Sequence, residues 1–435
     1  MRGGAVRLAG RCFGLTVATS MSAAVGAQQV QTGVLVSTGV SAESNPYNAT
    51  SGPGGPALTA QVQPQLRYRT SENTSLDLNG LAQFRRFLHD YGLEDNYSAN
   101  AFLNTRQSDR LTLRASASAS YNEGGFNNYG RPGLSPLIGP LPSTGTTSID
   151  ATGATVVTPL PLPSVSDVAL ANQLPLLTDV NVLGLRTRTK SFGAGVGFSG
   201  VISAQSQLSG DLNLRGARFK SPLLSDYDNA SAELRYSHTL NELSSVGLIG
   251  SVDRTNYRGT RVGDTTTKSA LLSYDRRFAR GWAVSVAAGL SSSDIRQLAG
   301  RPNVTLTALN VRGQFCNQAE YGRLCISGQR SPQPSANGAV SVSNSVAADY
   351  SRRLTERQSL SLTGTYTSTG RGRGSVLNLP SASFAAASAQ FNNTLGERSS
   401  FYVNGTASKI FNGGASRDIN LGIAAGISMR FGGLR

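Results

Sequence analysis

The chain has 435 residues, of which 39% are hydrophobic and 15% are charged, with 49 glycines and a mean hydropathy of -0.18. No apolar run of about 18 residues follows the N-terminal segment, so the sequence argues against membrane-spanning helices. The formal net charge is +15, but the basic residues are dispersed rather than clustered, which argues against nucleic-acid binding.

The N-terminal segment has the three parts of a secretory signal peptide. Several arginines precede a short, moderately apolar core at residues 13–25, and small residues at 25–27 offer a cleavage site. We therefore expect residues 1–27 to be a signal peptide and residues 28–435 to be the exported protein.

From about residue 30 onward, apolar and polar residues alternate in segments of about ten residues. In residues 111–122, Leu, Ala and Tyr alternate with Thr, Arg, Ser and Asn, and residues 419–431 repeat the alternation and end on Phe431. Because successive strand side chains point to opposite faces, each segment has one apolar face and one polar face. Its length suits a tilted strand that crosses a bilayer. The pattern predicts an all-β fold, a transmembrane antiparallel up-and-down β-barrel of about 18 strands.

The predicted strands follow the chain with connections that alternate in length. Longer polar connections follow the odd-numbered strands and short turns follow the even-numbered strands, which is typical of outer-membrane barrels with short periplasmic turns. The predicted strands are 33–42, 58–69, 75–87, 97–107, 111–122, 186–200, 207–219, 229–239, 244–255, 266–278, 282–293, 303–314, 322–331, 339–352, 358–369, 379–391, 399–410 and 418–431.

One connection, at about residues 122–185, is far longer than the others and contains eight prolines. So long a connection is usually functional or disordered. The sequence leaves two alternatives open: the segment folds into the lumen as a constriction or plug, or it extends outside the cell.

Two cysteines remain beyond the predicted signal peptide, Cys316 and Cys325. Their close spacing in an exported chain favours a disulfide across a hairpin whose turn centres near residues 319–322. The alternative is a pair of reduced thiols.

Charge is the main chemical clue to function. Arginine greatly outnumbers lysine, and several arginines share predicted polar faces with Asp and Glu. A cationic lumen would select anionic solutes, whereas pairing between arginines and carboxylates would make the same residues structural. The candidate lumen-lining residues are Arg67, Arg69, Arg85, Arg106, Arg114, Arg215 and Arg235.

The sequence offers no chemistry of catalysis or cofactor binding. His89 and His238 are expected at opposite ends of the barrel, without the neighbours that a metal site or a hydrolytic site requires. The glycine spacing of residues 195–200 matches a dinucleotide-binding motif, but it lies within an alternating strand, where glycines relieve crowding. We expect no catalytic residue, no metal and no cofactor.

Two stretches, Val36–Tyr47 and Cys325–Ser335, together with Tyr-x-Arg-Arg hairpin turns and the terminal Arg430-Phe431, resemble a known family. They resemble the outer-membrane β-barrel porin-like proteins associated with exopolysaccharide production and export in Gram-negative bacteria. The resemblance implies passive residence in the outer membrane and a role in polysaccharide passage. This chain departs from that pattern by continuing to Arg435 after the terminal aromatic residue.

These observations predict a non-enzymatic barrel in the bacterial outer membrane. The expected function is a passive channel or export-associated pore for anionic polysaccharide or small solutes. The alternative is a non-conducting structural or surface-binding barrel with a plugged lumen. The expected partners are outer-membrane lipid, lipopolysaccharide and the solutes, and the sequence does not fix an oligomeric state.

Overall fold

The computed structural model gives the protein as a β-barrel. The predicted signal peptide and most of residues 122–185 lie outside the described residues. The structure describes residues 29–46, 53–71, 73–89, 91–123, 147–149, 155–157, 187–221, 224–258, 263–296, 302–319, 321–335, 338, 340–370, 372, 381–412 and 415–432.

Eighteen long strands form the barrel within the described part of the chain. They are β1 (Gln29–Glu43), β2 (Gly55–Ser71), β3 (Thr74–Phe87), β4 (Leu93–Ser108), β5 (Leu111–Glu123), β6 (Arg188–Ser203), β7 (Ser206–Phe219), β8 (Tyr227–Asn241), β9 (Ser244–Tyr257), β10 (Thr265–Arg277), β11 (Trp282–Ile295), β12 (Val304–Ala319), β13 (Gly322–Pro334), β14 (Val340–Arg353), β15 (Gln358–Thr369), β16 (Ala382–Thr394), β17 (Ser399–Asn412) and β18 (Asn420–Gly432).

Every strand pairs antiparallel with the strand before it and the strand after it, and β18 pairs antiparallel with β1. In this closing pair Phe431 lies opposite Val34 and Ala425 opposite Val40. The sheet therefore has no free edge, which is the condition for a β-structure to exist in a hydrocarbon environment. The predicted fold class, a closed antiparallel barrel of 18 strands, is confirmed.

Short strands outside this set add little to the barrel. Ala415–Ser416 pairs with the end of β17, and Thr147–Ile149 pairs with Thr155–Val157 in a separate two-stranded sheet.

The predicted alternation of connection lengths is also present. Short turns such as 109–110 and 242–243 follow even-numbered strands, and longer connections such as 44–54 and 296–303 follow odd-numbered strands. One of the short turns contains a single 3-10 turn at Ala279–Gly281. We call the two ends of the barrel the short-turn rim and the long-connection rim.

Among the described residues, no helix is long and apolar enough to cross a membrane.

The predicted strand ends differ from the observed ends by a few residues. The strand predicted at 303–314 continues as β12 to Ala319, and the one predicted at 379–391 is displaced to Ala382–Thr394. Backbone hydrogen bonds to a neighbouring strand continue where the apolar alternation stops, so hydrophobic pattern locates a strand better than its ends.

The barrel reverses the burial pattern of a water-soluble domain. Large apolar side chains lie exposed on one face of the sheet, as with Leu272 (68% exposed), Leu290 and Ile423, whereas the other face carries buried Asn, Ser, Thr and Arg. Directly opposed residues on paired strands lie on the same face of the sheet. The strand registers therefore keep one face mostly apolar and the other mostly polar all the way around the barrel.

Candidate functional site: the inner wall of the barrel

The polar face of the sheet is its inner, concave face. Arg114 of β5 contacts Asp211 of β7, across β6, and Arg312 of β12 contacts Glu233 of β8, across three intervening strands. Side chains on the convex face of a curved sheet diverge, so contacts between strands that are not neighbours require the concave face. The inner wall is the surface that a solute in the lumen would meet.

Near the short-turn rim, Arg67 and Asp77 lie directly opposite each other on β2 and β3. The Arg67 Nε lies 2.6 Å from a carboxylate oxygen of Asp77, and both side chains remain partly exposed. Arg69 lies opposite Ser75 and is exposed, and it forms no ion pair with any described residue.

Near the long-connection rim, Arg85 lies between two carboxylates from different strands. It forms an ion pair with Glu43 of β1, and its Nη1 lies 3.9 Å from a carboxylate oxygen of Glu94 on β4. The side chains of Arg85 and Glu94 are each only 2% exposed, and the Arg85 guanidinium also lies over the ring of Phe87. The three charged groups tie β1, β3 and β4 together on the inner wall.

Gly197 makes room for the ion pair between β5 and β7. Arg114 Nη2 lies 3.1 Å from Asp211, with β6 between them, and a Cβ at Gly197 would collide with the Asp211 carboxylate. Gly195 of the same inner row lies beneath the side chains of Asn213 and Ser116 in the same way. Gly195 and Gly197 therefore relieve crowding within a strand, whereas a Cβ at Gly200 would make only ordinary contacts. All three glycines lie inside β6, not in the turn between a strand and a helix that a dinucleotide-binding motif requires.

A second group of ion pairs lies on β8 to β12. Arg235 Nη2 lies 2.8 Å from Asp275, which also accepts a hydrogen bond from Ser285. Arg312 Nη1 lies 3.4 Å from Glu233.

These pairs surround a small apolar cluster on the inner wall. Its members, which are almost completely buried, are Ile249, Leu271 and Ala287. Arg235 lies directly opposite Ile249, and Arg312 lies directly opposite Ala287. The barrel wall must curve sharply here, because Arg312 of β12 and Glu233 of β8 form an ion pair although three strands lie between them.

The remaining two predicted arginines differ in position. Arg106 pairs with Asp109 of the adjacent short turn, at 2.8 Å and largely in solvent. Arg215 is half-buried opposite Asn229, whose amide donates to Asp253 at 2.8 Å.

Most of the predicted lumen-lining arginines therefore form ion pairs. Carboxylates lie within 4 Å of Arg67, Arg85, Arg106, Arg114 and Arg235. The pairing makes the electrostatic potential of the lumen less positive than the arginines alone would make it. Each ion pair is also a structural contact between residues of the barrel. Anion selectivity therefore stays a prediction, and it depends on the inward cations that carboxylates do not neutralise.

Sequence reasoning missed three members of these networks: Arg312, Glu43 and Glu94. A signal was present for Arg312, which lies in phase with Asn310 and Gln314 on the polar face of β12. Glu43 and Glu94 were missed because the predicted strands at 33–42 and 97–107 stopped short of them.

The opposite part of the inner wall is neutral. On β15 to β18 most described inward positions carry hydroxyl, amide and small side chains. The exceptions are Arg430 near the short-turn rim and the buried pair Phe384 and Ile410 near the long-connection rim. Thr363 and Ser388 illustrate this surface, with their hydroxyl oxygens 2.7 Å apart. The lumen therefore has a charged side and a hydroxyl-rich side.

The two cysteines face each other on the β12–β13 hairpin near the short-turn rim. The structure joins Cys316 and Cys325 through their sulfurs, with their Cα atoms 4.1 Å apart. The Arg323 Nε donates to the Cys325 sulfur at 3.1 Å.

Within the described ranges, no group of three or more His, Cys, Asp or Glu residues could hold a metal ion. His89 follows β3 at the long-connection rim, and His238 lies at the short-turn rim, 3.0 Å from the Ser206 hydroxyl. The two histidines are therefore at opposite ends of the barrel.

No protein-family model matches the chain, and no curated protein matches it. Among solved structures, OccK2 (OpdF) of Pseudomonas aeruginosa in complex with glucuronate is similar at 11% identity and a TM-score of 0.44, over 93% of this chain and 99% of that chain. OccK9 (OpdG) of the same organism is similar at 13% identity and a TM-score of 0.44, over 93% and 99% of the two chains. The FrpB iron transporter of Neisseria meningitidis is similar at 7% identity and a TM-score of 0.44, over 92% and 82%.

None of these similarities includes the association with exopolysaccharide that the sequence resemblance implied. The assignment of the fold as a closed barrel rests on the strand pairing of this chain and not on these similarities.

Proposed function

We propose that the chain is a passive channel of the bacterial outer membrane that admits small solutes and prefers anions. The observation that carries this proposal is the closed barrel with reversed burial, apolar on its outer face and polar on its inner face.

The outer face supports a membrane location. In water, the continuous apolar belt of the outer face would cost about 25 cal/mol for each Å² exposed. Soluble monomers rarely expose so large an apolar surface. Hydrocarbon removes that cost. The long connections then face the cell exterior and the short turns the periplasm, as in outer-membrane barrels generally.

The inner wall supports selectivity by charge and hydrogen bonding. Arg69 is an exposed inward cation that forms no ion pair with a described residue, and such a cation in the lumen wall favours anions. The hydroxyl groups of β15 to β18 can hydrogen-bond to polar solutes. This combination suits small hydroxylated acids, and we extend it to anionic polysaccharide only as the finer hypothesis that the sequence resemblance supplied.

The test is reconstitution of the full mature chain in planar bilayers. We expect discrete conductance steps and a reversal potential, in a salt gradient, on the side of anion preference. Liposome swelling should be faster with a monosaccharide acid than with its neutral analogue, and slow with a long acidic oligosaccharide if the pore serves small solutes. A protein that inserts but never conducts would refute the channel proposal.

One observation favours the second candidate function, a non-conducting barrel with a filled lumen. Inward side chains near the long-connection rim are almost completely buried, although they face the inside of a wide barrel. They include Arg85, Glu94, Thr265, Ser293 and Val340. Conductance that starts only when residues 124–186 are deleted would support this second function over the open channel.

A further inference from the structure

We propose that the outer face of β6 to β10 carries a binding site for the phosphate groups of a phosphorylated glycolipid of the outer leaflet. The inference rests on the proposed outer-membrane location and goes beyond the channel function. The site consists of outward-facing cations at the long-connection rim, which we call the cationic patch. Its members are Lys190, Arg218, Arg254, Arg258 and Lys268.

The registers place these residues on the lipid-facing side. Lys190 lies directly opposite Arg218 on β6 and β7, two residues from Phe192, which is exposed on the outer face. Lys268 of β10 lies directly opposite Val252 of β9, another exposed outer residue. The patch therefore begins immediately above the apolar belt, at the level where lipid phosphates lie.

Part of the patch is neutralised, because Arg254 Nη2 lies 3.9 Å from a carboxylate oxygen of Asp264, and the remaining excess of positive charge includes the two lysines. Neither Lys190 nor Lys268 forms an ion pair with a described residue, and Lys190 faces the guanidinium-bearing Arg218 across the strand pair. Like charges directly opposite each other on paired strands are destabilising. An anion seated between them would remove that repulsion.

One carboxylate serves two arginines at the centre of the patch. The Asp228 carboxylate lies 2.5 Å from Arg218 Nη2 and 2.8 Å from Arg258 Nε. This group of three therefore keeps a net positive charge, and Arg258 remains largely exposed.

The guanidinium of Arg218 is held in position before any ligand binds. Its Nη1 donates to the backbone carbonyls of Ala217 and Tyr227, at 2.9 and 2.7 Å, and the group lies over the ring of Phe192. A fixed guanidinium loses less entropy on binding a phosphate than a mobile side chain does. Guanidinium geometry also matches two phosphate oxygens at once.

The chemistry favours a glycolipid with phosphate monoesters over a zwitterionic phospholipid. A zwitterionic head group brings its own ammonium, which competes with the lysines for the phosphate. Phosphates of a lipid A type head group carry no such internal cation, and cations from neighbouring strands can reach more than one of them.

The test compares two variants of the full mature chain in detergent. Lys190→Gln/Lys268→Gln removes two cations of the patch and keeps a polar side chain at each position. Arg276→Gln removes an outward cation at the opposite rim, where Arg276 lies over Phe278. Bis-phosphorylated lipid A and its dephosphorylated form are titrated against each protein, with bound lipid counted by native mass spectrometry. Conductance of each variant in planar bilayers is measured in parallel.

A cation near a membrane surface contributes about 1 kcal/mol to binding of an anionic lipid, which is about fivefold in affinity. We expect the double variant to bind bis-phosphorylated lipid A about 25-fold more weakly, Arg276→Gln to change binding less than twofold, and the dephosphorylated lipid to bind all proteins weakly and equally. Equal binding of both lipids to the unaltered protein, or equal loss in both variants, would overturn the inference. Conductance reports on the channel separately, because the cationic patch lies outside the lumen.

Discussion

The buried ion-pair group of Arg85, Glu43 and Glu94 makes the sharpest stability prediction. Arg85→Met keeps much of the side-chain volume but leaves two inward carboxylates without their cation. Breaking a buried pair by removing one partner typically destabilises a protein by about 3–5 kcal/mol, because an uncompensated buried charge remains. The near-zero exposure of Arg85 and Glu94 places this substitution in that range.

Arg67→Met is the matched control. Arg67 also pairs with a carboxylate at the inner wall, but its side chain is 43% exposed. Exposed pairs contribute about 0–1 kcal/mol, so the two substitutions should differ by several kcal/mol although each removes one paired arginine from the same wall.

The assay is reversible unfolding by urea of the barrel in lipid vesicles, followed by tryptophan fluorescence and by electrophoretic mobility of the folded form. A triple variant, Arg85→Met/Glu43→Gln/Glu94→Gln, should regain most of the lost stability, because a neutral replacement of a buried charged group is often tolerated. Equal losses for Arg85→Met and Arg67→Met, or no recovery in the triple variant, would refute the assignment of a buried charged network.

Three further outcomes are expected. Gly197→Ala should lower stability by about 1–2 kcal/mol because its Cβ displaces the Asp211 carboxylate, whereas Gly364→Ala, with open space around it, should not. Asp275→Asn should shift the reversal potential toward anions by freeing an inward arginine, whereas the same change at the outward Asp294 should leave it unaltered. Iodoacetamide should label the oxidised protein only after reduction, and Cys316→Ser should cost about 2–3 kcal/mol for a loop of this size; two labelled thiols without reductant would contradict the bond.

The alternation of residues fixes much of the local structure. Residues 111–122 alternate so regularly that the two faces of β5 can be assigned from the sequence alone, and Phe431 lies one residue before the end of the last long strand. The same alternation across the chain gives the number of strands, and the polar connections give the two rims. Arg67 and Asp77 could also be paired in advance, because a short hairpin fixes their register.

Contacts between distant strands could not be assigned in this way. The pairing of Arg114 with Asp211 depends on β5 and β7 both neighbouring β6, and on a glycine at the crossing point. The pairing of Arg312 with Glu233 depends on how sharply four strand intervals curve. Hydrophobic pattern carries no information on curvature or on the register of non-neighbouring strands.

The amino-acid sequence by itself therefore determined a two-faced strand repeated around a barrel, because side-chain direction in a strand has a period of two residues. Only the tertiary structure decided which inward arginines are neutralised and which outward cations gather beside one another. Charge compensation depends on distances of a few ångströms between strands far apart in sequence, and closure of the sheet sets those distances.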